Sequence, residues 1–493
     1  MDKSVEDYGP PVDILDVEAV NRKDKRSFFK KREPIYPKRV NGTFRRIKWI
    51  VMAITLGIYY ILPWVRWDRG EGAPNQAVLV DFANSRFYFF FIELWPQEVY
   101  YITGLLILAA IGLFLVTALA GRVWCGYTCP QTVWTDLFVW VERAIEGNRN
   151  ERIRLDKQPW SLSKASKKIF KHIIWLIIAI ATGGAWIFYF ADAPVLAQQL
   201  FNLEAPFTAY VFIGIFAFTT YSLGGLMREQ VCIYMCPWPR IQSAMIDDES
   251  LAVTYRFDRG EPRAAHKKGA SWDERGDCID CKQCVAACPM GIDIRDGLQL
   301  ECIQCALCID ACDDVMAKVD RPLGLIGYDN DLAIQYRQEG KTMPFRPVRL
   351  RTVAYSIILA VVGSIMLYGL ITRPLVGLNV LKDRNPTYVA LSDGGVRNGY
   401  EVKILNKLRE EKRYFISIAG LPGATLSAVS LPISGQGEVM VNVPGDDLRA
   451  IKVFVTLPAE HRPSGQTPIV FKVSDIKGEI TATKESVFSG GRQ

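Results

Sequence analysis

The chain has 493 residues, of which 49% are hydrophobic and 23% charged, with 12 cysteines, 3 histidines and a formal charge of +7. A mean hydropathy of +0.09 is high for a soluble protein of this length, which would divide into two to four domains of lower hydropathy. Three separated histidines, His172, His266 and His461, leave no pair for a bis-imidazole haem.

In chain order, residues 1–40 come first. They are polar and broken by Pro10, Pro11, Pro34 and Pro37, so a mostly disordered amino-terminal segment is expected. Five uncharged runs follow: Trp49–Val65, Val99–Gly121, His172–Ala191, Ala205–Met227 and Thr352–Thr372. Each approaches the roughly 20 residues that a helix needs to cross hydrocarbon, and backbone in lipid must satisfy its own polar groups. Five such runs exclude a soluble protein with buried core helices.

Basic residues orient these spans. Thirteen Lys and Arg lie up to Lys48, three in Arg66–Glu98, ten in Arg122–Lys171, none in Asp192–Glu204 and 17 in Arg228–Arg351. The alternation predicts a multi-pass inner-membrane protein with a cytoplasmic amino terminus and basic loops, and a periplasmic tail after Arg373. The positive charge is thereby explained by topology, and no groove-reading motif points to nucleic acid. The first apolar run begins only at Trp49, so no cleavable signal is expected.

Two membrane-adjacent motifs repeat. Cys125-Gly-Tyr-Thr-Cys129-Pro130 follows the second span and Cys232-Ile-Tyr-Met-Cys236-Pro237 the fourth, each closely preceded by an arginine, Arg122 or Arg228. On a helix, positions i and i+4 share a face, and the proline would break or bend it. Cys125, Cys129, Cys232 and Cys236 could thus meet at the membrane boundary. Such soft donors suit copper(I), zinc or an iron–sulfur centre, or cycle as a disulfide. An adjacent electron carrier favours a redox metal or dithiol over structural zinc. Met227 and Met235 read as packing residues before copper ligands.

That carrier comes next in the chain. Cys278-x2-Cys281-x2-Cys284-x3-Cys288-Pro289 is a bacterial ferredoxin run, and Cys302-x2-Cys305-x2-Cys308-x3-Cys312 repeats it with Asp313 in place of proline. In two-cluster ferredoxins the fourth ligand crosses to the other cluster. Cys278, Cys281, Cys284 and Cys312 are therefore assigned to one [4Fe–4S] cluster, and Cys302, Cys305, Cys308 and Cys288 to the second. Zinc is disfavoured by two triplets with remote fourth ligands, and disulfides by the reducing cytoplasm. In the cysteine-free tail, alternating runs at Tyr400–Leu405, Tyr414–Ile418, Gly437–Val443, Ile451–Leu457 and Ile469–Val473 predict an immunoglobulin-like β-sandwich, although alternation does not separate it from a small barrel. Docking or stabilisation is its expected role.

The expected architecture is a multi-domain membrane protein. It comprises residues 1–40, transmembrane helices 1–4 over 45–239, a two-cluster ferredoxin domain (α+β) over 240–348, a fifth span over 349–373 and the sandwich over 374–493. The ferredoxin string Gly276–Cys312, Ile35-Tyr-Pro37, Phe257-Asp-Arg-Gly-Glu-Pro-Arg263, the two Cys-x3-Cys-Pro motifs and the tail together resemble the cytochrome oxidase accessory family CcoG, RdxA or FixG, from about Pro34 onward. Met290 stands where that family is expected to carry threonine, and Gly327 where it usually carries arginine. The resemblance implies a cupric reductase that supports assembly of cbb3-type oxidase. Cys125, Cys129, Cys232 and Cys236 then become the copper site, fed through two clusters by an unidentified cytoplasmic donor. Copper chaperones and oxidase assembly factors are its implied partners, and self-association stays open.

Two other readings compete. One is a quinol dehydrogenase like the ferredoxin-bearing proteins of nitrate- and nitrous-oxide-reductase systems, against which the fifth span and tail argue. The other is a non-catalytic, redox-sensing assembly scaffold. An additional cluster on the four membrane thiols would be revealed by iron content. Plain roles are expected elsewhere: His172 interfacial, His266 and His461 solvated, Trp124, Trp134 and Trp140 in the interfacial belt. Asp247, Asp248 and Glu249 are expected to form a solvated acidic turn.

Overall fold

A computed structural model of the chain describes residues 12, 14–21, 33–70, 72–266, 271–342, 346–429, 431–433, 437–463, 465–476 and 481–491. Two compact units, Met1–Met366 and Leu367–Gln493, make up the chain.

In the first unit, α1 (Thr43–Ile61) is followed by a small antiparallel sheet of β1 (Val78–Asp81), β2 (Arg86–Phe89) and β3 (Ile92–Leu94). Sequence reading assigned this connection no structure. It is organised by Arg69, a buried cation whose guanidinium donates to the carbonyls of Pro74, Gln76, Ala77 and Phe90. Next come α2 (Tyr100–Ala120), α3 (Pro130–Glu146), α4 (Arg149–Lys157), α5 (Leu162–Ile187), α6 (Ala193–Phe201), α7 (Phe207–Thr220) and α8 (Trp238–Ser243).

Five segments are long and apolar enough to cross a membrane: Thr43–Trp64, Pro96–Ala120, Leu162–Ile187, Phe207–Met227 and Leu350–Ile371. They match the five predicted runs, with the third starting ten residues earlier because Lys164, Lys167, Lys168 and Lys171 occupy its first turns. No residue in the apolar window of Leu350–Ile371 is buried, and an apolar helix so exposed is stable only with lipid around it. Where α5 and α7 pack, Gly183 makes the approach: a methyl there would stand 2.7 Å from Ile213 O.

The cluster domain consists of β4 (Ala252–Tyr255), α9 (Phe257–Gly260), α10 (Gln283–Ala287), α11 (Leu307–Lys318), β5 (Ile326–Asp329) and α12 (Asp331–Gln338), with β4 and β5 antiparallel. It leads into α13 (Leu350–Ile371). The expectation of disorder over 1–40 falls partly on residues 1–11, 13 and 22–32, which lie outside those described. For the remainder it is corrected. Leu15 N–H donates to Cys281 O (3.2 Å), Asn21 N–H to Gly291 O (2.9 Å) and Lys38 N–H to Ala286 O (2.8 Å). Among its described residues, the segment is thus tied to the cluster domain by backbone bonds at three points.

The second unit is a sandwich of two antiparallel sheets. One runs β10 (Thr425–Ala428), β12 (Asp447–Leu457), β8 (Val396–Asn406), β6 (Val376–Lys382), with β7 (Val389–Ala390) on β8. The other runs β11 (Val439–Val443), β9 (Lys412–Ala419), β13 (Gln466–Asp475), β14 (Thr481–Ser489). Two separate sheets decide for a sandwich over a barrel. Tyr400, Tyr414, Phe471 and Phe488 are fully buried between them, and Tyr400 hydroxyl donates to Val487 O (2.9 Å).

Candidate functional site

Both ferredoxin runs take the same backbone path. Asp280 and Lys282 in the first, and Gln304 and Ala306 in the second, have φ of 53°, 56°, 54° and 61°. Left-handed geometry costs a non-glycine residue roughly 1–2 kcal/mol, and it curls successive N–H groups into an anion-binding concavity. Immediately after the second left-handed residue α10 or α11 begins, so Cys284 and Cys308 sit in first helical turns.

Two cavities result. One is lined by Cys278, Cys281, Cys284 and Cys312 with Tyr255 and Met316. In the other, Cys288, Cys302, Cys305 and Cys308 line the wall with Val253 and Ile294, and Cys284 also reaches it. The crossed pairing read from the spacing is thus the pairing that the fold brings together: Cys312 has Cys284, Cys281 and Cys278 as electrostatic neighbours, and Cys288 has Cys305 and Cys302. Burial pushes the Cys302 thiol up to about 11 and the Cys288 thiol up to about 12. Such sulfurs are charged only opposite a metal, whose field deprotonates a coordinating thiol. Backbone N–H groups of Met290 and Ile292 point at Cys288, and that of Gln304 at Cys302. Four thiols, backbone donors and apolar walls per cavity fit a [4Fe–4S] cluster in each.

The membrane motifs differ from the expected α-helical face. Trp124–Thr128 and Val231–Met235 are π-helical turns, each closed by an i→i−5 bond from the second cysteine: Cys129 N–H to Trp124 O (2.9 Å) and Cys236 N–H to Val231 O (2.8 Å). Each proline then breaks the chain path, Pro130 opening α3 and Pro237 capping α8. Four residues before each first cysteine stands a residue of positive φ and negative ψ, Gly121 (62°, −134°) or Arg228 (46°, −112°). The duplication therefore aligns Arg228 with Gly121, not with Arg122.

All four thiols are electrostatic neighbours. Cys125 senses Cys129 and Cys236, Cys232 senses the other three, and Cys129 senses Cys236. Burial pushes Cys125 and Cys232 each up to about 12. Cys129 occupies the N-cap position of α3 without a side-chain cap bond, while Cys125 donates to Gln242 Oε1 (3.1 Å). Among the described residues no three His, Cys, Asp or Glu side chains stand close enough to share a single ion, the ferredoxin cysteines included.

The two constellations touch. Gly126 lies directly on the second cluster loop: a methyl there would be 2.8 Å from Ile303 O and 3.0 Å from Cys305 Cα. Buried Arg122 ties the same parts together. Its N–H donates to Gln304 Oε1 (2.7 Å), and its guanidinium donates to Leu300 O (2.5 Å) and to Pro239 O (2.7 Å) beyond the second motif. Tyr127 hydrogen-bonds Tyr328, whose hydroxyl donates to Gln304 O (3.1 Å). Cys232 shares a cavity with Pro289, Met290, Ile303 and Leu307. Sequence reading missed Gly126, Gln242, Tyr127 and Tyr328, although a glycine inside a cysteine motif was a usable signal.

Other expectations change. Trp124 and Trp140 are exposed as an interfacial belt requires, but Trp134 packs inward and donates to Thr182 Oγ1 (3.1 Å). His172 meets Tyr221 hydroxyl (2.8 Å). His266 is buried and stacks on Trp272 at 4.0 Å, not solvated, while His461 is exposed. Asp247 is an ion-pair partner of Arg349 (2.5 Å) and Arg351 (3.4 Å) instead of a solvated turn residue. Met235 is exposed.

Family models match three stretches: a 4Fe-4S binding domain over residues 102–147, a 4Fe-4S dicluster domain over 227–331 and the IG-like fold at the C-terminus of FixG over 366–491. Nitrogen fixation protein FixG of Rhizobium meliloti is 54% identical over 473 residues, covering 90% of each chain. Proteins RdxB and RdxA of Cereibacter sphaeroides are 49% and 46% identical, each covering 94% of this chain and 98% of its own. A crystal structure of a FixG-related protein from Vibrio parahaemolyticus aligns with 23% of this chain and 95% of its own at 23% identity and a TM-score of 0.20. With this identity over nearly its whole length, two cysteine-lined cavities and five apolar helices, the chain belongs to the FixG/RdxA family of membrane iron–sulfur redox proteins.

Proposed function

We propose that the protein reduces copper(II) to copper(I) for assembly of a cbb3-type cytochrome oxidase. Cys278, Cys281, Cys284 and Cys312 would hold one [4Fe–4S] cluster and Cys288, Cys302, Cys305 and Cys308 the other, supplying one-electron transfer when bound. Cys125, Cys129, Cys232 and Cys236 receive copper(II) as substrate, and each ion accepts one electron and leaves as copper(I). Thiolates are soft donors, so the same set that admits the oxidised ion favours the reduced one. In this reading, which the distribution of basic residues supports, the amino terminus and the ferredoxin domain face the cytoplasm and its electron donor, and residues 374–493 face the periplasm. A copper chaperone or oxidase assembly factor takes the product.

The observation that carries this reading is Gly126 seated on Ile303, Gln304 and Cys305, which puts the membrane thiols against the cluster loop. The test starts from anaerobic protein reduced with dithionite and desalted. Adding copper(II) is expected to oxidise the clusters and release one chelatable copper(I) per electron. In Cys125→Ser/Cys232→Ser protein both clusters persist and that reaction is lost. Equal rates in the variant would reject the thiols as the terminus.

A second reading has its own support. The 4Fe-4S binding-domain model covers Cys125 and Cys129, and the four thiols stand wider than single-ion coordination. They would then hold a further cluster, and iron would number about twelve per chain instead of about eight.

A further inference from the structure

A second built cavity lies away from the thiols, where α1 enters the apolar layer. It measures about 390 Å³ and is lined by Arg39, Arg45, Trp49, Trp140, Arg143 and Glu151, among others. Its acid is engaged: Glu151 Oε2 accepts from Asn148 N–H (2.6 Å). The cations are not fully used. Arg45 is 6% exposed and gives its Nη1 to Asp136 (2.8 Å), yet its Nη2 is buried without a hydrogen-bond partner among the described residues. Arg143 gives Nη2 to Pro37 O (3.2 Å), and its Nε is likewise buried and unpartnered among them. Burial and repulsion from Arg45 hold the Arg143 guanidinium down to about 10. Arg45 and Arg143 thus share one carboxylate, Asp136, and each keeps a buried donor without a partner among the described residues, an excess of donors that is costly unless a further acceptor reaches them.

The surroundings indicate which anion. Trp49 and Trp140 meet edge to face at 6.2 Å, and the Arg45 guanidinium covers Trp49 at 4.4 Å. Trp49 lies in the second turn of the span that begins at Thr43, where tryptophans mark headgroup level, and Trp140 of α3 is 48% exposed beside it. Phosphate oxygens are the acceptors that arginine forks match best. We propose that this cavity binds a phosphate-bearing anion, supplied by the phosphodiester of an anionic lipid in the leaflet facing the basic loops.

The test uses the full chain with clusters loaded, stripped of lipid in detergent and offered phosphatidylglycerol, phosphatidylcholine or inorganic phosphate. Native mass spectrometry is expected to retain one phosphatidylglycerol per chain in preference to phosphatidylcholine. Arg143→Gln should weaken that retention about five- to tenfold, whereas Arg46→Gln, on the exposed side of α1, should not. Should Arg143→Gln lose the visible absorption of the clusters, Arg39→Gln at the cavity rim replaces it. Thermal stabilisation by inorganic phosphate, absent in the variant, would assign the same site to free phosphate. Equal retention of the two lipids with no effect of phosphate, or wild-type retention in folded variants, would overturn the proposal.

Discussion

In the proposed reaction electron delivery to the thiols turns on Gly126, because its missing side chain is what lets the first membrane motif rest on residues 303–305. Gly126→Ala inserts a methyl against two carbonyls and a Cα. Overpacking of that kind costs about 1–3 kcal/mol, or moves the loop away. The expected outcome is intact cluster absorption with copper-driven oxidation slowed at least several-fold in stopped-flow. An unchanged rate would mean that the contact does not set the transfer. Eight cysteines were legible as ligand candidates because their spacing encodes the ferredoxin wrap, and the other four because a Cys-x3-Cys-Pro motif occurs twice. Arg122 and Gly126 were legible only as parts of a motif, since their partners at 300–305 are nearly 180 residues away in sequence. His266 misled for the opposite reason: a polar neighbourhood in sequence concealed the Trp272 ring that covers it.

At the level of elements, the amino terminus of α1 is capped from the cluster domain. Asp310, on α11 between Cys308 and Cys312, accepts from the N–H groups of Phe44 (3.2 Å) and Arg45 (2.7 Å). One carboxylate therefore joins a membrane helix to the helix that carries Cys308 and Cys312. Replacing a capping carboxylate by alanine costs about 1 kcal/mol. Asp310→Ala is accordingly expected to lower the thermal midpoint and to speed loss of cluster absorption in air, and an unaltered midpoint would show that the cap does not hold the two together. The spans were readable because a charge-free run of this length matches the thickness of the hydrocarbon layer, whereas a helix on a soluble core interrupts its apolar stripe with charge. The π-helical turns were not, since i and i+4 cysteines look alike whether the turn closes at four residues or five. Strands Thr425–Ala428 and Thr481–Ser489 escaped notice because their sequences, TLSA and TATKESVFS, carry few strongly apolar residues.

The whole molecule divides where its chemistry does. Every cysteine lies in Met1–Met366, and the sandwich in Leu367–Gln493 has its own core around Tyr400 and Phe471. Removing residues 374–493 is expected to leave cluster content and copper-driven oxidation within about twofold of the full chain; tenfold is only about 1.4 kcal/mol, so a small structural effect already reaches that limit. Iron analysis and stopped-flow on the truncated protein check this, and loss of the clusters would show that the sandwich supports them. The central claim, that copper is reduced on the membrane thiols, is met most directly by copper K-edge X-ray absorption after one equivalent of copper(II) is added to reduced, dithionite-free protein. The account predicts a copper(I) edge with an all-sulfur first shell that disappears in Cys125→Ser/Cys232→Ser, whereas a copper(II) edge or a nitrogen and oxygen shell would contradict it.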